Sequence, residues 1–237
     1  MKNLNKGEVI QNLEWRYEVK FLVNAEEEIF LREWMFNQPT MYRSFAPRVV
    51  NSLYYDDMEK SSMGDNIAGI SHRAKYRLRW YGPTYKPDDA KFEIKFRKGR
   101  LGAKKRFDLN FRKRNARTFG SRDLKKILAK SSAPTTFLSH LPELQPMALV
   151  SYTRDYYHLV SGVRMTIDSS LRLADASNNH VDAEDLTDAI TKLIIEFKFP
   201  QNEKELAAEL FTGFPFTASR NSKYLLSCYH SGHVTYF

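Results

Sequence analysis

Six segments of the chain clearly alternate apolar and polar residues, and most of their polar faces bring arginine or lysine together with a single carboxylate. From Trp15 to Val23, Trp15, Tyr17, Val19 and Phe21 share one face, while Arg16, Glu18 and Lys20 share the other. Lys75, Arg77 and Arg79 oppose Tyr76, Leu78 and Trp80. Lys91, Glu93, Lys95 and Arg97 oppose Phe92, Ile94 and Phe96, and Lys104, Arg106, Asp108 and Asn110 oppose Phe107, Leu109 and Phe111. Arg164, Thr166 and Asp168 then face away from Val163, Met165 and Ile167, as Lys192, Glu196 and Lys198 face away from Leu193, Ile195, Phe197 and Phe199. A period of two makes each segment a strand with two unlike faces. Val49 to Asp56 and Val150 to His158 are β-rich with looser patterning, which gives about eight strands. Lys98 to Gly102, with two glycines, reads as the turn of a hairpin.

Two architectures satisfy these faces. A sandwich would bury the aromatic sides and expose a basic skin, whereas a barrel would turn the charges inward and cover its apolar outside with helices. Helical stretches for such a cover are present: one capped by Asn24 and running to about Asn37, one from Ser121 to about Lys130, a short one over residues 183–190, and two near the C-terminus, Asn202 to Leu210 and Ala218 to His230. Cations turned into a lumen must stay wet, find counter-charges or bind an anion, because each uncompensated buried ion costs several kcal/mol. Glu18, Glu93, Asp168 and Glu196 supply part of the counter-charge. A triphosphate or longer phosphate chain would neutralise the rest, arginine offering a planar fork and lysine a point charge.

The formal charge of +9 on 237 residues favours anionic partners in general. A single cysteine, Cys228, excludes an intrachain disulfide framework and a cysteine-based zinc cluster. Together with the lack of an apolar signal core in Met1 to Glu14 and of any 18-residue apolar run, it leads us to expect one soluble cytoplasmic domain over residues 1–237. The histidines, His72, His140, His158, His180, His230 and His233, show no ligand spacing, and no Walker motif occurs.

Across about residues 14–230 the chain carries, in order, Arg16-x-Glu18-x-Lys20, Asn51 to Asp56, Arg73-x-Lys75-x-Arg77-x-Arg79-Trp80-Tyr81-Gly82, Phe92-Glu93-Ile94-Lys95, Lys104 to Phe107, Ser151-Tyr152-x-Arg154, Val163-Arg164-x-x-x-Asp168, Ile195 to Lys198 and Ser222-Lys223-Tyr224. This ordered set resembles the catalytic domain of VTC polyphosphate polymerases, within the CYTH-like triphosphate tunnel metalloenzymes. The resemblance implies an α+β fold: a closed antiparallel eight-stranded β-barrel with helices packed outside and C-terminal helices. It implies that Lys20, Arg77, Arg79, Lys95, Lys104, Arg154, Arg164 and Lys223 form a catalytic phosphate clamp. Arg16, Lys75, Arg106, Tyr152, Lys198 and Ser222 would contact substrate, and Glu196, with Glu18 and Glu93, would hold Mn²⁺ or Mg²⁺. Strand parity adds that Lys104 rather than Lys105 faces the lumen.

Adenylate cyclase and thiamine triphosphatase relatives begin with Glu-x-Glu-x-Lys, and Arg16 here replaces the first glutamate, which favours the VTC branch. The implied activity is transfer of the γ-phosphate of ATP to a growing polyphosphate chain. Hydrolysis of tripolyphosphate or nucleoside triphosphate by water, and non-catalytic polyphosphate binding, are the alternatives. Nucleic acid is not expected as a partner, because the aromatics occupy the strand faces opposite the cations. No membrane segment is expected either.

Overall fold

The computed structural model describes residues 13–87, 89–109, 121–139, 141–178, 183–190 and 192–234. Asn110 and Phe111 of the fourth patterned segment lie outside them, as do His140, His180 and the side chain of Ser121. In chain order the elements are β1 (Arg16–Val23), α1 (Glu28–Phe36), β2 (Tyr42–Asp56), α2 (Ser61–Ile67), β3 (His72–Tyr81), β4 (Lys91–Lys98), β5 (Leu101–Asp108), α3 (Ser121–Leu128), α4 (Thr135–Ser139), β6 (Gln145–His158), β7 (Arg164–Asp175), β8 (Thr187–Ile190), β9 (Leu193–Pro200), α5 (Lys204–Thr212) and α6 (Lys223–His230).

All the strand pairings are antiparallel, in the order β6-β2-β3-β4-β5-β1-β9-β7, and a β6–β7 pairing closes the eight strands into a ring. β8 attaches to the second half of β7 at Leu171–Leu173, beyond the stretch Arg164–Asp168 that pairs with β9. The ring has one thin seam. β1 and β5 share only the pairs Arg16↔Gly102 and Tyr17↔Leu101, whereas β1 pairs with β9 along its whole length.

The outward faces are apolar and are covered, as a barrel with inward charges requires. One cluster joins Tyr76, Leu78, Trp80, Phe92, Ile94 and Phe107 of β3, β4 and β5 to Leu124, Ile127 and Leu128 of α3. A second joins Phe21, Met165, Ile195, Phe197 and Phe199 to Leu31 and Trp34 of α1 and Ala207 of α5. Trp34 meets Phe197 and Phe214 edge-on at 5.9 and 4.8 Å between ring centroids. Each large side chain fully withdrawn from water in these layers contributes roughly 1.5–3 kcal/mol. One end of the ring is apolar inside as well: Val50, Tyr54, Val150, Leu173 and Ile194 pack there against Tyr224 and Cys228 of α6.

The first predicted helix forms, preceded by a 3₁₀ turn over Ala25–Glu27; the Glu27 carboxylate accepts from the Asn24 backbone N–H at 2.9 Å and from its side-chain amide at 2.7 Å. Three expectations change. Residues 183–190 are not helical: Thr187–Ile190 form β8, because a length of four residues is decided by the free edge of β7 rather than by helix propensity. The last helix starts at Lys223, not Ala218, since Ala218 bridges Phe21 of β1 and the Ser219 N–H donates to the Lys20 carbonyl. Short α2 and α4 arise without a sequence signal; α2 begins where the Ser62 and Met63 N–H groups donate to the buried Asp56 carboxylate at 2.9 Å each.

Candidate functional site

Register decides which charges meet. Across the ladders Glu18 faces Lys198, Lys20 faces Glu196, Arg77 faces Glu93, Lys75 faces Lys95, Lys95 faces Lys104, Glu93 faces Arg106, Arg154 faces Asp168, and Arg164 faces Lys198. Directly opposed side chains start about 4.5–5.5 Å apart. A cavity of about 660 Å³ opens inside the ring. Thirteen lysines and arginines line it, against the carboxylates of Glu18 and Glu196.

Every side chain given a clamp, substrate or metal role in the sequence lines this cavity except Glu93, and of the four carboxylates expected as counter-charge Glu18 and Glu196 line it while Glu93 and Asp168 do not. Glu93 sits behind the wall, 2% exposed, with both oxygens occupied: Oε2 accepts from Arg77 Nε and Nη2 at 2.9 and 2.6 Å, and Oε1 from Arg106 Nε at 3.0 Å. Arg79 and Lys104 stand 3.7 and 3.8 Å away. Burial opposes its charge, but Arg77, Arg79 and Lys104 outweigh that and hold the carboxyl well below the usual range. A carboxylate so enclosed is an anchor for arginines, and as a metal ligand it does not fit.

Asp168 plays the same part on the other side. It accepts from Arg154 Nε and Nη2 at 2.5 and 2.7 Å and from Lys223 Nζ at 2.5 Å. Burial is again overcome, by Arg154 and Lys223, which bring Asp168 down to about 2. Through Lys223 this anchor ties the C-terminal helix to the wall. Ser222 caps that helix, its Oγ accepting from the Leu225 N–H, and Lys75 Nζ donates to the same Oγ at 2.7 Å. Lys20 Nζ donates to the Asn221 carbonyl at 2.9 Å. Residues 221–223 therefore form a polar floor where α6 closes the apolar end of the ring.

The cations fall into two kinds. Arg77 and Arg154 are desolvated, yet their carboxylate partners raise them well above the ordinary arginine value. Around Lys20, Lys104 and Lys198 the nearest carboxylate does not offset burial, and Lys75 has none among the groups that shift it. Burial first, and neighbouring cations next, bring Lys20 and Lys104 down to about 7, while Lys75 falls well below its usual range. Burial brings Lys198 to about 8 despite Glu196. These four lysines are among the cations that outnumber the carboxylates lining the cavity, an arrangement that a bound anion would relieve. Arg79 is similarly underused, with a long 3.3 Å bond from Nη2 to the Tyr152 hydroxyl and its buried Nε without a hydrogen bond. Lys105, by contrast, does not line the cavity, and Arg164 stands exposed at its mouth.

For a metal ion, Glu196 offers the one buried carboxylate oxygen without a hydrogen bond among the described residues lining the cavity. Glu196 accepts from Lys198 at 2.9 Å through Oε2, while its buried Oε1 makes no hydrogen bond. Burial is outweighed by Lys198, Lys20 and Lys95, so Glu196 is ionised far below the usual range. Glu18, which receives Lys95 Nζ at 2.5 Å, lies close enough for the two carboxylates to repel each other. Gly102 makes room for Glu18: a Cβ there would sit 3.2 Å from the Glu18 carboxyl carbon. Among the described residues no group of three or more His, Cys, Asp or Glu gathers as a ready cation cage. This donor set suits Mg²⁺ or Mn²⁺ only with phosphate oxygens completing the shell.

Side chains that the sequence reading did not assign also line the cavity: Tyr54, whose hydroxyl accepts from Arg77 Nη1 at 3.4 Å, and Tyr42, Phe45, Arg48, Tyr81 and Tyr156 at the mouth. Tyr54 belongs to the Asn51–Asp56 motif and shares parity with Ser52, which was the available signal. Aromatic rings therefore do face the lumen on β2 and β6, contrary to the expectation that they lie on the opposite faces.

A closed ring of antiparallel strands with a cation-lined interior and carboxylates in its wall is a triphosphate tunnel fold. The VTC domain family profile matches residues 15–230, and the chain belongs to that family. Among solved structures, a Hippeastrum adenylyl cyclase candidate described by its dominant triphosphatase activity superposes with TM-score 0.55 at 14% identity, covering 92% of this chain and 96% of that one. A Vibrio parahaemolyticus protein described as an adenylate cyclase candidate gives TM-score 0.48 at 12% identity, covering 90% and 98%. Comparison with curated proteins returns no match. Among the described residues no helix is long and apolar enough to cross a membrane.

Proposed function

We propose that this chain binds a nucleoside triphosphate and polyphosphate inside the ring and transfers the γ-phosphate of ATP to the end of a polyphosphate chain. The observation that carries the proposal is the set of under-compensated cations, Lys20, Lys75, Arg79, Lys104 and Lys198, converging on one cavity from four strands of the ring. A phosphate chain neutralises them together, which a single small anion would not.

Phosphoryl transfer asks little covalent help of a protein, since positioning and neutralising the equatorial oxygens supply most of the rate. The terminal oxygen of the chain forms a bond to the γ-phosphorus while the bond from phosphorus to the β–γ bridging oxygen breaks, and ADP leaves. An ionised phosphate nucleophile has no proton to give up, so a site rich in cations and without a dedicated base fits this reaction. Arg77 and Arg154, held rigid by Glu93 and Asp168, orient the chain, while the lysines take up charge. Glu196, with Glu18 beside it, would hold Mg²⁺ or Mn²⁺. The bound ion supplies further neutralisation of phosphate oxygens.

A second reading puts water in place of the chain end. Arg48 and Arg164 are exposed at the mouth, so water reaches the clamp, and the Hippeastrum protein of like fold is described by a triphosphatase activity. Incubation with ATP and Mn²⁺, followed by gel separation, distinguishes the two. Long phosphate chains support polymerisation; inorganic phosphate as sole product refutes it.

A further inference from the structure

The wide end of the cavity is built from different material than the clamp. Phe45 and Tyr81 are 55% and 45% exposed, yet both line the cavity. Phe45 meets the half-buried Tyr156 edge-on at 5.7 Å, and the Arg48 guanidinium lies over the Phe45 and Tyr81 rings at 5.1 and 5.9 Å. Tyr42 stacks on His158 at 5.6 Å beside them. Large apolar rings left open to water at a cavity entrance call for a flat apolar ligand.

Backbone irregularity puts them there. The β2–β6 register slips between Phe45 and Arg48, where Pro47 has no N–H to give the ladder, and such a bulge re-aims the side chains around it. On β6, Tyr156, Arg154 and Tyr152 follow at intervals of two residues on the inner face, so the step from ring to clamp is about 7 Å. A triphosphate seated among Arg79, Arg154 and the lysines thus leaves its nucleoside end at these rings.

We propose that the mouth formed by Phe45, Arg48, Tyr81 and Tyr156 is a base-stacking subsite for the nucleoside triphosphate, and that it accepts purines and pyrimidines alike. The second half follows from chemistry: among the described residues the mouth offers ring faces, a guanidinium plane and the rotatable hydroxyls of Ser44, Tyr81 and Tyr156, which donate or accept as a base requires, and no carboxylate, Asn or Gln side chain that would fix one base edge. Stacking with such adaptable contacts tolerates any base. The proposal rests on triphosphate binding in the clamp.

Titration calorimetry with ATP, GTP, CTP, UTP and ribose 5′-triphosphate, which carries the same phosphates without a base, tests it in the unaltered protein. The expected result is that the four nucleotides bind within about tenfold of one another and each roughly five- to a hundredfold more tightly than ribose 5′-triphosphate. Phe45→Ala and Tyr156→Ala should each shrink that advantage, and Phe45→Trp should keep it. Equal affinity for ATP and ribose 5′-triphosphate overturns the stacking subsite and leaves the clamp standing. Strong preference for one base overturns its tolerance. Absence of binding by every triphosphate, ribose 5′-triphosphate and tripolyphosphate included, would instead remove the clamp reading itself.

Discussion

Lys75 Nζ donates to Ser222 Oγ at 2.7 Å, so a side chain from the middle of β3 holds the residue that caps the C-terminal helix. The same ammonium is disfavoured by burial and by Lys20 and Lys95, and it has no carboxylate of its own among the neighbours that shift it. On the proposed function, stability and phosphate binding pull in opposite directions at this residue.

Lys75→Met should expose the conflict. Replacing a desolvated cation by an apolar chain of similar length is expected to stabilise the empty protein by on the order of 1 kcal/mol, after the loss of one hydrogen bond. It should weaken tripolyphosphate about tenfold or more, because hydrogen bonds to charged groups contribute roughly 1.5–3 kcal/mol. Thermal melts and calorimetry measure the two effects separately. A variant that is both less stable and unaltered in affinity would contradict the assignment.

Glu93→Gln should act in the reverse sense. Glu93 compensates the Arg77 guanidinium and the half-exposed Arg106, and breaking a buried pair such as Arg77–Glu93 typically costs about 3–5 kcal/mol. Freed arginines can pair with phosphate instead. The expected outcome is a lower melting temperature without ligand and a larger rise with saturating tripolyphosphate than in the unaltered protein.

Acidity offers a third check. Lys20 and Lys104 hold their protons only to about 7 in the empty cavity, against an ordinary lysine value of 10.5. Between these limits the unfolded chain binds more protons than the folded one, so stability of the empty protein should rise with pH across that window. A bound triphosphate favours the charged lysines and must draw protons in. Calorimetric titration of a nonhydrolysable ATP analogue at pH 8, in buffers of different ionisation enthalpy, should show net proton uptake, and affinity should fall from pH 7 to pH 9.5. No uptake would mean the lysines do not meet the phosphates.

Glu196→Gln removes the buried carboxylate whose Oε1 has no hydrogen bond. Mn²⁺ should then lose most of its enhancement of triphosphate binding, while binding in the presence of a chelator stays equal or improves through the reduced negative charge. Retention of the full Mn²⁺ effect would assign the ion elsewhere.

Much of this was legible in the sequence, because a period of two writes both faces of each strand into the chain. The alternation through Lys75, Arg77 and Arg79 and through Lys104 and Arg106 fixed which side chains share a wall, and Lys105 was separated from Lys104 by parity alone. What alternation cannot show is register. That Glu93 would be enclosed by Arg77 and Arg106, and so withdrawn from metal binding, depends on which residues of β3, β4 and β5 end up opposite one another. The mouth was hidden for another reason: Pro47 and the bulge interrupt the pattern before Val49, so Phe45 and Arg48 looked like residues outside a strand. β8 was missed because four residues carry too little pattern to outweigh a neighbouring edge.

The central claim is that phosphate oxygens occupy the interior of the ring. A crystal structure with a nonhydrolysable triphosphate tests it most directly. The account predicts phosphates within hydrogen-bonding distance of Arg79, Lys104 and Lys198, above the floor formed by Ser222 and Lys223. Phosphates bound only on the outer surface, with none in the interior, would contradict it.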